Sequence, residues 1–226
     1  MLPTRHLGKP SPETWFGIVD GIYAIVLTIV VLSYPQLILD AINKARLHEI
    51  SSDMLGRLLI SHTMSFFAVF FIGFEIWSIH RALLALTIPA RRKTMFSAIV
   101  LAIVAFAPVW IDVNNHLRQE YLITHAQLLE NDVLVFRTVF FVLLFFVYGS
   151  LAWLAGLERK QYPDQGHDLS QVLAVCLHRC WLLVAVYGFS LLVPHRGALY
   201  IFMFAMLSYF GRDVWLWCRT RLARLL

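Results

Sequence analysis

The stretch from Trp15 to Ser33, WFGIVDGIYAIVLTIVVLS, most constrains what this chain can become, because Asp20 is its only side chain charged at neutral pH. As a helix it rises ~28 Å, about the thickness of the hydrocarbon core of a bilayer. A carboxylate inside such a span is costly and marks either a function or a buried partner. On a helical wheel, Ile25, Thr28, Ile29 and Leu32 fall on one stripe, extended downward by Ile18, Gly21 and Ile22. Asp20 points to nearly the opposite side. Gly17 and Gly21 form a small-xxx-small pair where another backbone can come close. The stripe reads in two ways: as ordinary lipid or core contact beside one paired acid, or as a pore lining that sets a threonine among branched aliphatics.

Composition settles the broad class. Of 226 residues, 59% are hydrophobic and only 15% charged, against about 25% charged in a soluble domain. The sequence therefore describes an all-α integral membrane protein, a single domain over 1–226. The net charge of +5 calls for no nucleic acid; in such a protein it reports on which loops face the cytoplasm. The first apolar run ends in SYPQ with no small-residue cleavage site, so the helix is expected to be retained. Cys176, Cys180 and Cys218 lie in or beside apolar spans and read as structural thiols rather than a disulfide framework.

Six spans are predicted, at approximately 15–33, 54–80, 94–113, 133–157, 171–194 and 198–218. The residues after Pro35, LILDAINKARLHEI, read as a short amphipathic segment at the interface. Pro108 is expected to bend the far end of the third span. The stretch NNHLRQEYLITHAQLLEND reads as a polar loop. On the N-terminal side stand Arg5, Lys9, Arg81, Arg91, Arg92, Lys93, Arg159, Lys160, Arg219, Arg221 and Arg224. Lys44, Arg46, Arg57, Arg118 and Arg196 oppose them, and that imbalance predicts cytoplasmic termini.

This topology brings costly residues to one depth: Asp20, Glu75, His80, Arg179, Arg212 and Asp213. His178 and Arg179 are expected to be buried in the fifth span. Opposite charges at matched depth offset desolvation. The group reads as a structural ion-pair network or, because His80 or His178 can titrate near neutrality, as a proton relay or gating latch.

Asp20-Gly21-Ile22-Tyr23-Ala24-Ile25, followed by Leu27-Thr28-Ile29-Val30-Val31-Leu32, resembles the first helix of the prokaryotic transmembrane-protein-175 potassium channels. Trp77-Ser78-Ile79-His80-Arg81 is similar to that family's Trp-x-Asn-His-His, and Ala107-Pro108 to its third-helix ending. The family's arginine, phenylalanine and serine fall on Thr14, Ile18 and Val19, so Asp20 and Gly21 alone carry the signature itself. The resemblance implies a homotetramer in the cell membrane with helix one of each subunit around a central pore. It implies a hydrophobic constriction at Ile25, with Thr28 and Leu32 in the outer permeation path and Ile29 on the same lining. It further implies potassium near Thr28 as the permeant ion rather than a cofactor, and a structural or gating role for Asp20, Trp77 and His80; where the family serine is replaced by Val19, Arg179 and Arg212 are the contacts expected to hold the bundle in its place. No TVGYG-like filter loop exists in the sequence.

Beside the channel stand a membrane enzyme, a secondary transporter, and a proton-conducting, non-conducting or lipid-binding membrane protein of the same fold. A membrane enzyme would draw on His178 with Cys176 and Cys180, or His80 with Glu75. The cysteines lack a further close ligand, and Glu75 and His80 stand ~140° apart around a helix. A secondary transporter would need broken helices and internal repeats, for which Pro108 alone is thin support.

Overall fold

The computed structural model describes residues 12–47, 51–86, 91–124, 127–192 and 199–208, and every element among them is helical. The helices are α1 (Pro12–Leu47), α2 (Ser52–Ala85), α3 (Arg91–Ala105), α4 (Ala107–Thr124), α5 (Gln127–Gln161), α6 (Gly166–Leu192) and α7 (Leu199–Ser208), with a short 3-10 turn at Pro163–Gln165 before α6. Five stretches are long and apolar enough to cross a membrane: Trp15–Leu47, Ser52–Ala85, Met95–Leu117, Leu134–Gln161 and Pro163–Leu192. By that measure the chain is a multi-pass membrane protein, and its described elements are all helical. Of the expected sixth span, α7 accounts for the first half, and residues 209–218 lie outside the described residues.

Three boundaries differ from the sequence reading. The first helix does not end at Ser33, and the segment after Pro35 is not a separate interfacial piece; α1 runs unbroken for 36 residues with Pro35 inside it. An internal proline costs about 3 kcal/mol. Burial of Leu37, Ala41 and Ala45 beyond it, and the 2.7 Å hydrogen bond between Tyr34 Oη and Thr63 Oγ1 of α2, outweigh that cost. At 36 residues α1 is about 54 Å long, well beyond the bilayer core.

The third span is broken in two. Phe106 forms a turn between α3 and α4, and Pro108 sits in the first turn of α4, where a missing N–H needs no partner. The predicted polar loop is helical, in α4 and the start of α5. Three of its polar residues are packed or paired. Asn115 and Gln119 are buried, Gln119 Nε2 donates to the Asp40 carbonyl of α1 at 3.5 Å, and Lys44 Nζ meets Glu120 Oε1 at 2.6 Å. The distal half of α1 thus carries a helical partner alongside it.

The core gathers Val19, Tyr23, Val26 and Val30 of α1, Ile72 and Ile76 of α2, and Val100 and Val104 of α3. Phe140, Val147 and Leu151 of α5, Cys176 and Leu183 of α6, and Phe204 of α7 continue it. α5 packs most extensively on α6, and α1 on α2. Gly73 makes the second contact close: a Cβ there would stand 3.2 Å from Leu27 Cδ2.

Candidate functional site

α1 has two unlike faces. Val19, Tyr23, Val26 and Val30, spaced four, three and four apart, are at most 5% exposed. The stripe picked out on the wheel is the other face. Ile25 is 61% exposed, Leu32 71%, Ile29 46% and Ile18 43%, and Thr28 is exposed with them. Among the described residues, no neighbouring helix buries these aliphatics. Gly17 and Gly21 also have nothing within 4 Å of an added Cβ, so among the described residues the close helix contact expected at that pair is not made; a close approach falls at Gly73 instead.

Thr28 is oriented by its own helix. Its Oγ1 donates to the Ala24 carbonyl at 2.7 Å. A hydroxyl has one proton and two lone pairs. With the proton spent on the backbone, what remains to face outward is electron density, which suits a cation and not an anion.

The packed face is fastened by polar ties radiating from one short stretch of α2. Trp77 Nε1 donates to Asp20 Oδ1 at 2.7 Å. Arg81 Nη2 lies 3.8 Å from Asp20 Oδ2, and its guanidinium sits 5.4 Å from the centre of the Trp77 ring. One turn further along α1, Tyr23 Oη and His80 Nδ1 share a hydrogen bond of 3.2 Å, while His80 Nε2 pairs with Ser97 Oγ of α3 at 2.9 Å. His80 is fully buried. The lone acid of the first span thus belongs to a clamp binding α1 to α2, with α3 closing it.

The third tie leaves α2 on its far side. Arg179 Nε of α6 donates to Glu75 Oε1 at 2.7 Å, and Tyr148 Oη of α5 donates to Glu75 Oε2 at 2.8 Å. Arg179 also reaches the Ser208 carbonyl of α7 and the His178 Nδ1 at 3.0 Å. Both members of the ion pair are nearly buried, at 13% and 9% side-chain exposure.

The single network expected at one depth is therefore split. Asp20 and Trp77 form one tie, His80 a second, and Arg179 a third with Glu75. Glu75 and His80 stand on different faces of α2, so their partners are different helices. Arg179 is partly buried as expected, but His178 is exposed, a correction to its expected burial. Arg212 and Asp213 lie outside the described residues.

Sequence reasoning passed over Tyr23, Ser97 and Tyr148. The signal was available in each case: a hydroxyl inside an apolar helix must find a partner. Which partner it finds depends on how the helices dock, and periodicity does not encode that. Among the described residues no group of three or more His, Cys, Asp or Glu is placed to hold a metal, and Cys176 and Cys180 are buried free thiols. Comparison of the chain with protein-family models, with curated proteins and with solved structures finds no match.

Proposed function

We propose that this chain is the subunit of a cation channel, conducting potassium with a modest preference over sodium, in which α1 of four copies lines a central pore in a cell membrane with cytoplasmic termini. The observation that carries this reading is the pairing on α1 of a clamped face with an uncovered stripe of Ile18, Ile25, Thr28, Ile29 and Leu32. A pore helix must be held rigidly from behind while leaving its front free for the axis, and the ties through Asp20, Tyr23 and Trp77 suit the first need.

The chemistry of the stripe fits slow cation passage. A ring of isoleucines narrow enough to exclude water is a barrier that an ion crosses only when the ring widens. The Thr28 hydroxyls, with lone pairs outward, replace part of the hydration shell an ion sheds next to that barrier. They favour a weakly hydrated ion such as potassium. Asp20, Trp77, His80 and Arg179 then act as supports behind the lining rather than as ligands of the ion.

The test is reconstitution in liposomes with a potassium gradient, comparing the wild-type chain with Ile25→Asn and Thr28→Val. Ile25→Asn wets the constriction and raises flux; Thr28→Val lowers the preference for potassium. Unchanged flux in the Ile25 variant removes that residue from the path. Flux that saturates at low substrate and needs a co-ion marks a transporter instead.

A further inference from the structure

The exposed stripe of α1 does not stop where the bilayer does. Beginning at Ile18, seam positions recur three and four apart: Ile18, Ile22, Ile25, Ile29, Leu32, Gln36, Leu39, Asn43 and Arg46. All are exposed except Ile22, which is half-buried. A strict seven-residue repeat keeps one line of a helix turned toward a shared axis. Because α1 is continuous through Pro35, the same seven-residue spacing carries on from the membrane half into the distal half.

The chemistry of the seam changes once along its length. Up to Leu32 it is Ile and Leu at every position, a pattern that favours more than two copies around an axis. Beyond Leu32, every second seam position carries an amide: Gln36, then Asn43, with Leu39 between them. Gln36 Nε2 donates to Asp40 Oδ1 of its own helix at 3.0 Å. An ionised carboxylate only accepts, so the amide nitrogen is the group engaged, and the carbonyl Oε1 of Gln36 is left to face away. Asp40 behind it adds negative charge. An exposed amide whose nitrogen is held by an acid presents an oxygen dipole, the same kind of group that replaces water around a cation in a selectivity filter.

Resting on the channel reading above, we propose that Gln36 and Asn43 form two successive amide rings in the distal mouth of the pore. These rings select which cations reach the isoleucine constriction. They are specificity-determining residues of the conduction path, separate from the constriction itself.

The experiment uses the full chain in liposomes under opposed potassium and sodium gradients, with Gln36→Leu, Asn43→Leu and Gln36→Lys beside Ile25→Asn. Each substituted seam residue is exposed in the single chain, and monodisperse gel filtration of every variant confirms folding. The proposal expects Gln36→Leu and Asn43→Leu to shift the reversal potential toward zero, and Gln36→Lys to abolish most cation flux. If Ile25→Asn changes flux while all three distal variants match wild type in reversal potential and flux, the amide rings are overturned and the channel reading stands. If Ile25→Asn is also silent, both fall together.

Discussion

The helices α1 and α6 bury the same small share of their most apolar stretches, 22% in each case, yet their uncovered faces are made of different material. The outer face of α6 is rough: Leu177, Trp181, Val184, Phe189 and Leu192 mix large aromatic rings with aliphatics. The uncovered face of α1 is Ile18, Ile25, Ile29 and Leu32 with Thr28 and no aromatic ring. Lipid chains are fluid and adapt to any outline, so a helix facing them can carry rings of any size. A helix facing copies of itself needs side chains of uniform reach, repeated at one spacing. Low burial in a lone chain therefore does not distinguish a lipid face from an assembly face; under the channel reading proposed above, it is the evenness of the α1 side chains that suits them to the second.

The widest predicted separation between the two helices is functional. Ile25→Asn and Val184→Asn each put one amide on an exposed face at membrane depth. In liposome flux assays the first raises potassium leak and the second leaves it at the wild-type level. Equal effects, or an effect of Val184→Asn alone, would break the comparison at its centre.

The two helices are also fastened differently, and that difference has an energy. α6 is held through the Glu75–Arg179 ion pair, whose members are nearly buried. Arg179→Leu leaves the Glu75 carboxylate buried with Tyr148 as its remaining donor, which costs about 3–5 kcal/mol of stability. Denaturant unfolding in detergent measures that loss, and adding Glu75→Gln to the same chain recovers much of it. α1 is held by a half-exposed acid and a tryptophan. Trp77→Phe removes one hydrogen bond to a charged group and costs about 1.5–3 kcal/mol. If the α1 variant loses more than the α6 variant, the ranking of the two fastenings is reversed.

What the sequence made legible follows the same divide. The apolar spans, the stripe on α1 and the turning away of Asp20 all come from periodicity along one helix, and periodicity is a local property. The pairing of Glu75 with Arg179 needs α2 and α6 docked at a particular height, with the partners 104 positions apart in the chain. Matched depth suggested that such pairs exist, but it merged three ties into one network because depth carries no information about angle around α2. The continuity of α1 through Pro35 was missed for a related reason. Proline is a local breaker, and the burial of Leu37, Ala41 and Ala45 that overrides it is tertiary.

The smallest expected effect lies in the distal half of α1, where the comparison with α6 is hardest to draw. Lys44 and Glu120 form a 2.6 Å ion pair with side chains 27% and 46% exposed. Such a pair gains little over its hydrated partners and contributes about 0–1 kcal/mol, less as salt is added. Lys44→Met should therefore shift the unfolding midpoint only slightly at low salt, and the shift should fade at high salt. If the variant instead loses several kcal/mol at every ionic strength, the distal half of α1 depends on that pair. The buried Leu37, Ala41, Asn115 and Gln119 would then not be what carries the helix past Pro35.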